Sequence, residues 1–179
     1  MRPIFTLHAG EYLVGDHLER KNKDVRVWIP SKDSGIDLLV TDRNFRKLAS
    51  LQVKFSKDYI ASSNNAHQIP NVKSGGWWKF DRNKLANSEA DYWVLVLYPF
   101  HSRNPDYLVV PPKQLLSRYD ELTGGDATIQ TYFWVSGDSC WETRNLTALD
   151  HERISNGTYR NRLRNFSKYL NNWAFLPDA

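Results

Sequence analysis

The chain has 179 residues, 41% of them hydrophobic, and its 24 Lys+Arg against 20 Asp+Glu leave a net charge of +4. That length suits one domain with a proper core, and the mild basic excess admits a polyanionic partner without requiring one. A lone cysteine, Cys140, excludes an internal disulfide and a cysteine-based zinc site; no stretch approaches the about 18 apolar residues of a membrane span; and the amino terminus meets charge by Glu11, unlike a signal peptide, so a cytoplasmic protein is expected.

Residues 6–22 read as a helix, because Leu7, Val14 and Leu18 recur at helical spacing, and Glu11 falls on the same face between Leu7 and Val14. Residues 24–30 alternate, with Val25, Val27 and Ile29 pointing one way along a strand. SKDSG is turn chemistry, residues 36–41 form a second strand, DRNFRK is a polar hairpin connection, and residues 49–56 form a third strand. The polar stretch 57–76, with Asn64-Asn65 and Gly75-Gly76, reads as a long loop of the kind that is usually functional or mobile. WWKFDRNKLANS reads as a short helix or a turn. YWVLVLYP (92–99) is nearly all apolar, the pattern of a strand buried on both faces.

YLVVP (107–111) is another strand, PPKQLLSRYDEL starts on proline and continues as a short helix, and residues 128–136 form a further strand. Residues 158–173 read as a C-terminal helix, with Tyr159, Leu163, Phe166, Leu170 and Trp173 at near-helical spacing and Arg160, Arg162, Arg164 and Lys168 on its other faces. No repeat, low-complexity tract or boundary divides the chain. The expectation is a single domain over residues 1–179, mixed α/β or α+β, built around a central sheet.

Polar groups interrupt two of these apolar strands: Asp37 in SGIDLLV, and Gln52 with Lys54 in LQVKFS. Side chains two apart on a strand share a face, so Gln52 and Lys54 point together, and Asp37 joins them if it lies opposite residue 52 or 54. A one-residue slip would put it on the other side. Glu11 supplies a second carboxylate from a helix whose apolar stripe must pack on something, and this sheet is the nearest candidate. Two ionised carboxylates in an apolar setting are costly, and they repel each other. A divalent cation removes both problems, and oxygen ligands suit Mg²⁺ or Mn²⁺ rather than zinc. Lys54 beside such an ion is a fixed positive charge for developing negative charge, or for orienting an attacking water.

Glu11, then GID with Asp37, then Gln52-Val53-Lys54 resemble the PD-(D/E)xK nuclease superfamily, the fold of many restriction endonucleases and of the archaeal Holliday-junction resolvases. The resemblance covers about residues 5–100, leaving 101–179 as an elaboration. It implies a restriction-endonuclease-like core of helix, three-stranded antiparallel meander, helix and further strand. It also implies Mg²⁺- or Mn²⁺-dependent hydrolysis of a phosphodiester bond in DNA, and a homodimer that cuts two strands. On this resemblance Glu11, Asp37, Gln52 and Lys54 are the catalytic set, and Glu11, Asp37, the Val53 backbone carbonyl and Gln52 are the metal ligands. Gln52 departs from the usual Asp or Glu, although the Mrr-like restriction branch also uses Gln. The usual Pro-Asp pair is split, with Pro30 well before Asp37 and Asp33 a candidate substitute.

For nucleic-acid contacts the candidates are Lys57, Lys73 and Lys79, with Trp77 and Trp78 either stacking on an unpaired base or packing into the core. The basic C-terminal segment either tracks phosphates or is a solvated face. His8 and His17 flank Glu11 without forming HExxH. Two alternatives stand beside hydrolysis: a nuclease-fold DNA-binding module that has lost the chemistry, and a protein-interaction or immunity domain whose aromatics form the binding face.

Overall fold

The computed structural model describes residues 9–32, 34–56, 71–99 and 104–177. Helix α1 (Ala9–Lys21) buries Glu11, Val14 and Leu18, a stripe at i, i+3 and i+7. Three antiparallel strands follow, β1 (Arg26–Trp28), β2 (Leu38–Thr41) and β3 (Lys47–Phe55). Asp42 closes the β2–β3 turn, its carboxylate accepting the N–H of Asn44 at 2.8 Å and of Arg46 at 2.9 Å. Then come β4 (Val72–Asp81), α2 (Arg82–Ala86), β5 (Tyr92–Pro99), β6 (Asp106–Val110), α3 (Pro112–Thr123), β7 (Thr128–Ser136), β8 (Ser139–Glu142), α4 (Ala148–Ser155) and a 3₁₀ turn at Ser167–Tyr169.

The strands connect in the order β1-β2-β3-β5-β4-β7-β8, with β6 also pairing β5. β3 and β5 run parallel, and β4–β5, β4–β7, β5–β6 and β7–β8 run antiparallel. The protein is therefore a mixed α/β structure with a mixed sheet. β5 is buried on both faces, as its unbroken apolar run requires. Val94 and Val96 pack with Val14, Leu18, Leu51 and Val53 on the α1 side. Trp93, Leu95 and Leu97 pack with Leu85, Leu115 and Tyr119 on the side of α2 and α3. Among the described residues no helix is long and apolar enough to cross a membrane.

Two expectations fail. Val72–Asp81 is strand β4, not the end of a loop, and of WWKFDRNKLANS, read as helix or turn, residues 77–81 belong to the strand while Arg82–Ala86 is the short helix α2. Gly75-Gly76 looks like a turn signal, but the Trp78 indole lies over Gly76, where a Cβ would collide with it. Residues 57–70 of the expected loop lie outside the described residues.

Residues 158–173 do not form a helix. Asparagine side chains compete for the backbone there: Asn161 accepts the N–H of Leu163 and Arg164 at 3.0 and 3.2 Å, and Asn165 accepts that of Ser167 at 2.9 Å. The freed backbone pairs with sheet edges instead, Glu142 N–H donating to the Arg164 carbonyl at 2.9 Å and Phe166 N–H to that of Cys140 at 2.8 Å. The sequence reading also passes over β8 and α4.

Arg164 clamps this segment by donating to the buried Glu142 carboxylate. Burial pushes the Glu142 carboxyl above its ordinary value, against the opposing pull of Arg164. With the folded value raised, the stabilising contribution of this group is complete below the unfolded value of about 4.3 and is lost as pH rises through the folded one. Arg164→Ala strands a buried carboxylate and is expected to cost about 3–5 kcal/mol at neutral pH. Its cost falls at about pH 4, below the raised folded value, where the carboxyl is protonated and carries no stranded charge. Urea unfolding at the two pH values checks this; an equal loss at both would refute it.

Candidate active site

β3 carries Gln52 and Lys54 on one face, and its parallel pairing sets them beside Trp93 and Leu95 of β5. Lys54 Nζ lies 5.4 Å from the Trp93 ring centroid, which holds the ammonium over an aromatic face. Asp37 precedes β2, just past the Leu38–Leu51 pair. Its N–H donates to the Leu51 carbonyl at 2.8 Å, and its carboxylate accepts the Val53 N–H at 2.8 Å. The acid therefore bridges the two strands, 9% exposed. Gly35, at φ 79, makes the left-handed turn that leads the chain into this position.

Glu11 arrives from the opposite layer. Its neighbour Gly10 makes the approach possible, since a Cβ there would sit 2.8 Å from Phe55 Cβ and 3.3 Å from Val53 Cγ1. The bare backbone lets the first turn of α1 rest directly on β3, and Glu11 is left 3% exposed. Glu11, Asp37, Gln52, Val53 and Lys54 together line one cleft of about 710 Å³.

The sequence reading misses the facing wall, formed by Asn83, Lys84, Asn87, Ser88 and Glu89. α2 begins on Asp81, which accepts the Lys84 N–H at 2.9 Å, and the segment after it is pinned by Trp93 Nε1 donating to Ser88 Oγ at 2.8 Å. Glu89 in NSEAD carries no periodic or motif signal. Only the crossover from β4 to β5 brings it here.

The expected nucleic-acid contacts do not gather at this cleft. Trp78 is 5% exposed and belongs to the core, its Nε1 donating to the Lys54 carbonyl at 3.2 Å, so it offers no face to a base. Trp77 is half-buried with its ring 6.2 Å from that of Tyr132, and Lys73 pairs with Asp106 at 2.9 Å. Lys79 is exposed on β4 opposite Gln130, and it does not line the cleft. Lys57, Asp33 and His8 lie outside the described residues. His17 packs between the rings of Tyr107 and Trp173, at 4.8 and 5.2 Å, and not at the cleft.

The donor set is two buried carboxylates, an amide and an ammonium. Among the described residues no group of three His, Cys, Asp or Glu is placed to hold a metal ion; the acidic pair is completed by the neutral Gln52. Carboxylate and amide oxygens suit a hard cation such as Mg²⁺ or Mn²⁺. No protein-family model, curated protein or solved structure matches the chain.

The seating of α1 is testable by paired substitutions within the helix. Gly10→Ala is expected to destabilise by about 1–3 kcal/mol through overpacking. Gly15, whose Cβ would meet nothing closer than Val27 Cγ1 at 3.6 Å, is the control. Gly15→Ala is expected to be neutral or to stabilise by up to about 1 kcal/mol. Thermal unfolding decides, and changes of the same sign at both positions would discard the close-approach account.

Proposed function

We propose that the chain is a metal-dependent nuclease that hydrolyses a phosphodiester bond in DNA. The observation that carries this reading is the meeting of Glu11, Asp37, Gln52, Val53 and Lys54, drawn from α1, the start of β2 and β3, at one cleft. The order of α1, the antiparallel β1–β2–β3 meander and then β5 parallel to β3 supports a restriction-endonuclease-like core. Between β3 and β5 the chain departs from that pattern, with β4 and the five-residue α2 where the family has one helix.

Glu11, Asp37, the Val53 carbonyl and Gln52 would hold Mg²⁺ or Mn²⁺, which would polarise a phosphoryl oxygen and lower the pKa of a bound water. The chain's own residues do the positioning. Val53 N–H fixes the Asp37 carboxylate before any ligand arrives, so its orientation costs nothing at the moment of reaction. Lys54 sets a positive charge on the same side of the sheet as Asp37, for the charge that develops on the phosphoryl group or for aligning the attacking water. Gln52 favours a second reading, a nuclease-fold module that binds DNA without cutting it, because an amide removes one negative charge from the cation site.

Wild-type protein is expected to nick supercoiled plasmid when Mg²⁺ or Mn²⁺ is added, and Lys54→Ala to lower that rate by about 10²–10³-fold while binding persists. Absence of nicking with either ion would leave the binding module as the better reading. Mn²⁺ at about 100 times its Kd should stabilise the wild type by about 2.7 kcal/mol in thermal unfolding. Asp37→Asn should abolish that shift, and a shift that survives the substitution would remove Asp37 from the cation site.

A further inference from the structure

We propose that a second cleft, of about 570 Å³ between α3 and the segment after α4, binds the sugar-phosphate backbone of a nucleic acid. Its cations are Arg118, Arg160, Arg162 and Lys168, and among the described residues no carboxylate lines it. Among the described residues elsewhere, Arg20, Arg43, Arg46, Arg82, Arg153 and Arg164 pair with acids, whereas Arg26 stacks on Phe45 and Arg144 donates to the Gln130 carbonyl. The four cleft cations have none among the described residues. Arg118 Nη1 lies 3.0 Å from each of the carbonyls of Arg162, Leu163 and Asn165, and Arg160 Nη1 donates to the carbonyls of Gly157 and Tyr159 at 2.9 and 2.7 Å. These bonds fix the guanidiniums in place without neutralising them.

The other polar groups of the lining match an acceptor-only ligand. The Asn161 and Asn165 amide oxygens are already engaged by backbone N–H groups, and the indole of Trp141 can only donate. Phosphodiester oxygens only accept, and arginine's planar fork suits them. A single phosphate ion would leave charge unmatched among four cations, whereas a chain of phosphates supplies one charge per link.

The frame is rigid. Trp141 bridges to Asn165, and Arg118 is held with its Cζ 5.1 Å from the Phe166 ring. α2 walls the candidate active site and α3 walls this cleft, and the Arg82–Asp120 ion pair joins the two helices. The proposal shares its nucleic-acid partner with the hydrolytic reading but does not need hydrolysis.

The test is fluorescence anisotropy with a labelled mixed-sequence oligonucleotide, duplex and single-stranded, in EDTA over a range of NaCl. Arg160, Arg162 and Lys168 are exposed, so R160Q/R162Q/K168Q should keep the wild-type melting temperature. The variant is expected to bind at least about tenfold more weakly, with the slope of log Kd against log salt reduced by about 2–3. Lys21→Gln/Lys23→Gln/Lys32→Gln removes the same charge from exposed positions elsewhere and should leave the slope near wild type.

Equal losses in both triple variants, an unchanged slope in the cleft variant, no binding by the wild type, or equally effective competition by poly-glutamate would each overturn the assignment. Adding Mg²⁺ separates the two readings. Cleavage together with an unchanged slope in the cleft variant defeats this proposal alone. Cleft-dependent binding with no cleavage defeats the hydrolytic one alone.

Discussion

The Asp37 carboxylate accepting the Val53 N–H at 2.8 Å joins chemistry to strand register in one contact. Because side chains alternate along a strand, sliding β2 past β3 by one residue would carry Asp37 to the α1 layer and turn Leu38 toward the cleft. The core opposes that slide. Leu38 sits opposite Leu51 and Val40 opposite Ala49, all four fully buried. The slide would turn Leu38 and Val40, each worth about 1.5–3 kcal/mol when buried, off the α1 layer and bring Leu39 and the polar Thr41 onto it, a loss larger than one hydrogen bond returns. The position of the acid is therefore enforced by apolar residues on the far side of the sheet.

Those apolar residues are also what makes part of the fold legible in the sequence. α1, β3, β5 and β7 each carry an unambiguous period or an unbroken apolar run, and the pattern follows directly from which layers cover them. β5 needs both kinds of neighbour, valines toward α1 and larger side chains toward α3. Where local signals oppose the tertiary context, the sequence misleads. Gly75-Gly76 looks like a loop, yet Gly76 is small because Trp78 folds back over it within the strand. The spacing from Tyr159 to Trp173 looks helical, yet Asn161 and Asn165 satisfy the backbone locally, and β8 offers the remaining groups a better partner.

The candidate site divides in the same way. Gln52 and Lys54 are readable as a pair because a two-residue period on a strand leaves no other arrangement, and Glu11 is readable because it shares a stripe with Val14. The wall opposite them is not readable. Asn83 to Glu89 reach the cleft only because β4 pairs with β7 and the chain must return over the sheet to start β5. Of the two readings of Trp78, core packing holds: a large aromatic after two glycines fits a binding loop and a packed strand equally well, and burial separates them.

Charge decides whether an amide at position 52 would be compatible with the phosphate chemistry proposed for this cleft. Among the described residues three carboxylates, Glu11, Asp37 and Glu89, face two ammoniums, Lys54 and Lys84, which leaves one net negative charge in that lining. Alone, that charge repels a polyanion. A divalent cation would reverse its sign, so cation and phosphate would each favour the binding of the other. A carboxylate in place of Gln52 would leave the same ion only enough charge to neutralise the cleft. Glu89 and Lys84 are exposed and partly screened by salt, so the balance is set mainly by the buried pair, Glu11 and Asp37, and by Lys54 over Trp93. In a one-ion site the neutral amide is thus what would let the bound cation present positive charge outward.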